Sequence, residues 1–111
     1  MNIPYDSPLL DSVLEALSHQ TRRGILHELS FHPATISQLA REFESSLPAI
    51  HKHIKVLESA GLIVRRKSGR THFVALNAQM LGLAQQWIAQ YNTQWSSPDA
   101  TLTNYIASMK E

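Results

Sequence analysis

Apolar side chains recur at three- and four-residue intervals along most of this chain, and the one stretch that breaks the rhythm alternates instead. Leu9, Leu10, Val13, Leu14 and Leu17 predict a short first helix, opened by Ser7-Pro8, since proline sacrifices no hydrogen bond in a first turn. A second helix follows Ser18, with Arg22 and Arg23 near its start and Ile25, Leu26 and Leu29 as its apolar face; Phe31-His32-Pro33 breaks it. Thr35-Ile36-Ser37-Gln38 has the form of a capping box, a Thr N-cap answered by Gln three residues later. Ile36, Leu39, Ala40 and Phe43 then give one face of a short third helix, and Glu44-Ser45 a tight turn after it. In the fourth helix Ser46 is the expected N-cap, Pro48 falls in the first turn, and Ile50, Ile54 and Leu57 form the core stripe. Gly61 suits the left-handed position that ends it.

The alternating stretch comes next. Leu62 to Arg66 and His72 to Leu76 read as two short strands, joined by a turn over Lys67-Ser68-Gly69-Arg70. Helical spacing returns after Asn77, a fair N-cap for a long helix over about 77–96. Leu81, Ala84, Ile88, Tyr91 and Trp95 form a heptad-like seam there, widened by Met80, Leu83 and Trp87. Ser97-Pro98-Asp99 is a break and restart before a last short helix carrying Leu102, Tyr105, Ile106 and Met109. The expected fold is one domain over residues 1–111, mainly α with a small β-hairpin wing: helix-turn-helix over about 35–60, wing over about 62–76, long helix, and an extension over 97–111.

Composition narrows the classes. The chain has 111 residues, 43% of them hydrophobic, and no cysteine, so disulfides and thiolate metal sites are excluded. No apolar run approaches the roughly 20 residues that cross a bilayer, and the N-terminus lacks a signal peptide's basic region, so a cytoplasmic protein is expected. No nucleophile–base pair, phosphate loop or paired carboxylates point to an enzyme, and no cofactor is implied. The net charge of +1 conceals a sharp division: residues 1–50 carry −3, residues 51–71 carry +5, and residues 72–111 carry −1. One concentrated cationic surface on a near-neutral protein fits a polyanion met in a fixed orientation.

Two short helices separated by a tight turn, followed by a basic hairpin, fit duplex DNA, with the second helix in the major groove. Its N-terminal half offers Ser46, Pro48, Ala49, His51 and Lys52 to base edges: small apolar groups for thymine methyls, Lys52 as a donor to guanine, His51 as donor or acceptor. Lys55, one turn on, is placed for phosphate. Lys67 and Arg70 at the hairpin tip reach for an adjacent minor groove, together with Arg66. Strand alternation puts Arg65 and Arg66 on opposite faces, so at most one of them faces the groove. Glu58 is expected to pair with Lys55 or with the wing.

ALSHQTRRGILHEL (16–29), ISQLAREF (36–43), SLPAIHKHIKVLESAGLI (46–63) and Gly69-Arg70 together resemble the ArsR family of bacterial winged-helix repressors over roughly residues 9–95. His19-Gln20 departs from the family's usual residues before Thr21-Arg22. The resemblance implies a homodimer built on the first and last helices, which would place Leu9, Leu10, Val13, Leu81, Ala84, Trp87, Ile88, Tyr91 and Trp95 at its interface, and an inverted-repeat operator. Repression rather than activation also comes from the family. Many members sense metals, but the positions of their Cys-x-Cys site fall here at about Thr35-Ile36-Ser37, and the last helix has no histidine, so no metal ligand is expected. His51 and His53, two apart on one helix, point to different faces and cannot chelate one ion. Two rival readings are a winged-helix interaction module without DNA binding and a sensor of the same fold responding to a metal or an unidentified small molecule.

Overall fold

The computed structural model describes residues 3–91 and 97–110. Six helices and three strands follow in the order α1 (Pro8–Leu17), α2 (Gln20–Leu29), β1 (Ala34–Thr35), α3 (Ile36–Glu42), α4 (Leu47–Ser59), β2 (Ile63–Ser68), β3 (Thr71–Leu76), α5 (Gln79–Ala89) and α6 (Pro98–Met109). Most starts are side-chain caps of the expected kind. Ser7 accepts from the Leu10 amide, Thr35 and Gln38 close the full capping box, and Ser46 accepts from the Ala49 amide at 3.3 Å. The start of α2 differs: its N-cap is His19, whose ring Nδ1 accepts from the Thr21 amide at 3.1 Å.

Two helix ends use left-handed residues. Gly61 (φ 75°) ends α4, with the Leu62 amide donating to Leu57 O and the Gly61 amide to Glu58 O. The same double bond ends α3, with Ser45 N to Ala40 O and Glu44 N to Arg41 O, but a glutamate, Glu44, occupies the left-handed position at φ 48°. Both turns fix how α3, α4 and the wing leave one another.

The sheet has a third strand that the alternation did not reveal. β1 is two residues long and pairs with β3 through Ala34↔Val74 and Thr35↔Phe73, giving the antiparallel order β1-β3-β2. Two residues are too few to show a period. The hairpin is also longer than read: Lys67↔His72 and Ser68↔Thr71 still pair, leaving only Gly69-Arg70 as the turn. Gly69 has φ 62° and Arg70 a negative φ, the pattern of a type II′ turn, whose twist matches that of the strands.

The core is formed where α1, α2, α3 and α4 meet the inner sheet face. Leu10, Val13, Ile25, Leu39, Ile50, Ile54, Leu57, Leu62 and Val74 are fully buried there. Asn77 is not the cap of α5; Ala78 stands at that position and forms no side-chain cap bond. The Asn77 amide nitrogen instead donates to Gly61 O at 2.9 Å, and its backbone to Leu62 O, tying the exit of the hairpin to the exit of α4. α5 ends at Ala89, earlier than the expected helix over about 77–96. The Gln90 side chain then brackets Ile3 through hydrogen bonds to both its N–H and its carbonyl. α6 begins at Ser97, which caps Ala100 N, and none of its residues is buried. Among the described residues no helix is long and apolar enough to cross a membrane.

The expected dimer seam divides in three. Leu10, Val13 and Ala84 are 1%, 0% and 5% exposed and belong to the chain's own core, because α1 and α5 pack on each other within one protomer; they are not surface positions. Leu81 and Trp87 are half-buried against that core. Leu9, Ile88 and Tyr91 are 61%, 59% and 57% exposed and remain uncovered within the chain. Trp95 lies outside the described residues.

Candidate nucleic-acid interface

α4 buries one stripe and presents the rest. With Ile50, Ile54 and Leu57 inward, Ser46, Pro48, Lys52 and Lys55 are exposed, and Ala49 and His51 are half-buried at the margin. Pro48 has no N–H and Ser46 takes the Ala49 amide, so at this helix start the dipole, rather than a set of free amides, favours an anion.

One ion pair links the hairpin to α4. Arg65 Nη2 lies 2.7 Å from Glu58 Oε1, with Nε 3.4 Å from Oε2, a two-point grip of the planar guanidinium. Glu58 therefore pairs with the wing rather than with Lys55. Arg65 shares its strand face with Lys67, and across the ladder that face continues through His72 and Val74. His72 in turn meets His51 of α4 edge-on, with ring centroids 6.0 Å apart. Lys67 thus stands on the α4 side of the wing.

Arg66 is exposed on the other face, opposite Phe73 and beside Val64. The alternation argument holds, but the arginine on the α4 side is Arg65, and Glu58 already engages it. Arg65–Glu58 is the one ion pair among the described residues, so Lys52, Lys55, Lys67 and Arg70 have no carboxylate partner there. Four free cations on α4 and the wing can neutralise phosphates on a duplex.

The sequence pattern does not mark His72 as a site residue, since only the strand register brings it to His51. His53 points the other way, toward α2, where its ring lies 4.5 Å from that of His19. The two histidines of α4 do face apart. Among the described residues no three His, Asp or Glu side chains gather as a metal-binding group.

The comparisons agree with this geometry. A family model described as a helix-turn-helix domain matches residues 17–66, from the end of α1 into β2. The HTH-type transcriptional regulator Rv2034 of Mycobacterium tuberculosis is 40% identical over 65 residues, 59% of each chain. The arsenical resistance operon repressor of Staphylococcus xylosus is 32% identical over 84 residues, covering 76% of this chain and 81% of that one. A crystal structure of an ArsR family transcriptional regulator, RHA00566, superposes with a TM-score of 0.77 at 35% identity, over 87% of this chain and 98% of that one. The matched segment contains the capping box, the left-handed turn at Glu44, α4 and the strand that anchors the wing. This chain belongs to the ArsR-type family of winged helix-turn-helix transcriptional regulators.

Proposed function

We propose that the chain is a homodimeric repressor that blocks promoter access by occupying an inverted-repeat operator in the cytoplasm. The observation that carries this reading is the unpaired cationic face shared by α4 and the inner side of the wing. Ser46, Pro48, Ala49, His51 and Lys52 read base edges, and Lys55, Lys67 and Arg70 hold the backbone. Arg66, on the wing's opposite face, is left the flanking phosphates at most. An interaction module without DNA binding would want an acidic or apolar α4 face, and this one is neither.

The second protomer is argued from Leu9, Ile88 and Tyr91. Three large apolar side chains exposed on α1, on α5 and just past the end of α5 are a surface that association would cover. An effector-responsive variant of the same function draws on a groove of about 570 Å³ between α1 and α4, which Lys52 and Lys55 rim together with Glu15 and Val56.

Fluorescence anisotropy on a labelled duplex from the chain's own upstream region, against a scrambled duplex at two salt concentrations, tests the reading. Selective, salt-sensitive binding at two protomers per site is expected. Sedimentation should give a dimer that Ile88→Glu converts to folded monomer. No binding to either duplex at low salt would overturn DNA binding, and a monomeric wild type would overturn the dimer.

A further inference from the structure

Arg22 is the one buried charged residue among those described, at 8% exposure. Its Nε donates to Ala16 O at 2.8 Å, and its Nη2 donates at 3.0 Å to Glu15 O, which also accepts from the Ser18 amide and hydroxyl, so the guanidinium grips the C-terminal carbonyls of α1. Arg23 caps a third, donating to Leu17 O at 2.8 Å. The remaining arm of Arg22, Nη1, lies 3.4 Å from Nδ1 of His53 on α4. One guanidinium thus joins the end of α1 to the recognition helix.

Both contacts call for an acceptor on the histidine ring. A guanidinium can only donate, so His53 Nδ1 must be the acceptor, and the ring is neutral with its proton on Nε2. A backbone N–H also only donates, so His19 Nδ1, which caps Thr21 N, is likewise an unprotonated acceptor. The two rings lie 4.5 Å apart, inclined at 50°. That arrangement disfavours a metal bridging the pair: each ring would have to ligate through Nε2 and carry its proton on Nδ1, the atom already accepting a bond.

We infer that Arg22, His19 and His53 form a positioning joint for the recognition helix that holds only while the His53 imidazole is neutral, so that mild acidification releases α4 from its DNA-binding pose. Arg22, His19 and His53 are positioning residues here and touch no DNA. A proton on His53 Nδ1 would face the Arg22 guanidinium. The bond from the Thr21 amide to His19 Nδ1 holds the His19 ring beside that of His53. His19 belongs to the His19-Gln20 pair at which the sequence departs from the family's usual residues.

The charged groups on the surrounding elements are engaged elsewhere: from α2, Arg23 donates to Leu17 O, His27 meets Phe31, and Glu28 lies toward Gln38 and Arg41. From α1, Glu15 gives Arg22 its backbone carbonyl while its exposed side chain lies along the groove shared with Lys52 and Lys55. From α3, Arg41 and Glu42 are exposed. From β2, Arg65 is engaged by Glu58. On α4 itself Lys52 and Lys55 are further cations. Burial, then His19, then Arg22 lower the pKa of His53 from its ordinary 6.5. The docked state therefore binds fewer protons than a released one. The cost is absent above 6.5, sets in as the pH falls through that value, and is complete below the lowered pKa. Each unit of lowering shifts the docking equilibrium tenfold.

The sign is diagnostic. Acidification ordinarily tightens a protein on DNA, because surface histidines gain charge against phosphate. The joint predicts weakening. The inference rests on the DNA-facing reading of α4, and the test separates the two. Histidine Cε1–H resonances and α4 amide shifts of the intact chain, followed by NMR from about pH 7.5 to about pH 5.5 without DNA, should show His53 titrating below 6.5 and α4 amides moving with it. In parallel, affinity for a duplex selected from a random pool at the higher pH should fall at the lower, with the far-UV spectrum unchanged. The His19→Asn/His53→Gln double variant keeps an N-cap oxygen and an acceptor for Arg22 but no titrating group, and should hold its affinity across the range. Binding by the wild type that is unchanged or tighter at low pH, or an equal loss in the double variant, overturns the inference. α4 amides indifferent to His53 titration do so without reference to DNA. Failure to select any duplex at the higher pH would count against the DNA reading instead.

Discussion

Glu44 occupies a position built for glycine, and exchanging it gives a worked test of how the helix-turn-helix turn is made. The residue sits at φ 48° between α3 and α4, with the Ser45 amide bonded back to Ala40 O at 2.9 Å. A left-handed conformation costs a residue with a Cβ about 1–2 kcal/mol. Glycine avoids that, but it surrenders about 0.5–1 kcal/mol more backbone freedom on folding. Glu44→Gly should therefore stabilise the fold by about 1 kcal/mol, and raise the midpoint of thermal unfolding by roughly 4–8 °C in a domain of this size. Glu44→Ala is the control: it removes the carboxylate and keeps the strain, so its midpoint should stay near the wild type's. Scanning calorimetry or thermal circular dichroism at fixed protein concentration reads both. A glycine variant no more stable than the alanine variant would refute the argument from strain, and equal gains in the two would assign the effect to charge.

Three further outcomes follow from named contacts. Thr35→Ala removes the acceptor for the Gln38 amide in the capping box and should cost about 1 kcal/mol in a urea titration with the slope unchanged. Gly24→Ala, which in an open helix would gain about 1 kcal/mol, should lose stability instead, because its Cβ would lie 2.5 Å from Phe43 Cε1; Phe43→Leu in the same chain should restore it. Lys52→Ala should alter which duplex is preferred, whereas Arg70→Ala should weaken all duplexes alike and lower the salt slope by about 1; equal losses on specific and random DNA for Lys52→Ala would remove it from base reading.

How much of this was legible in the sequence depended on how local the cause was. Caps at Ser7, Thr35 and Ser46, the glycine stop at Gly61 and the apolar stripe of α4 are decided within a few residues, and all were readable. What was missed depends on contacts between distant segments. β1 is too short to show alternation and exists because β3 offers it an edge. Asn77 has the right type for a cap, yet the backbone at Gly61 claims its side chain. Leu10, Val13 and Ala84 fall on an apolar stripe whether that stripe faces a partner or the chain's own core, and periodicity cannot distinguish the two. Strand alternation separated Arg65 from Arg66 correctly, but which of them faces α4 needed the register with β3. The meeting of His19 with His53 joins positions 34 residues apart and left no mark in any local pattern.

The central claim, that α4 and the inner side of the wing face the duplex in a two-fold assembly, is tested most directly by hydroxyl-radical footprinting of the intact chain on its selected operator. The account predicts protection on one face of the duplex, in two clusters centred about one helical turn apart, with the outer flank of each cluster lost on Arg70→Ala. A single unpaired cluster, or a footprint unchanged by both Lys52→Ala and Arg70→Ala, would contradict it.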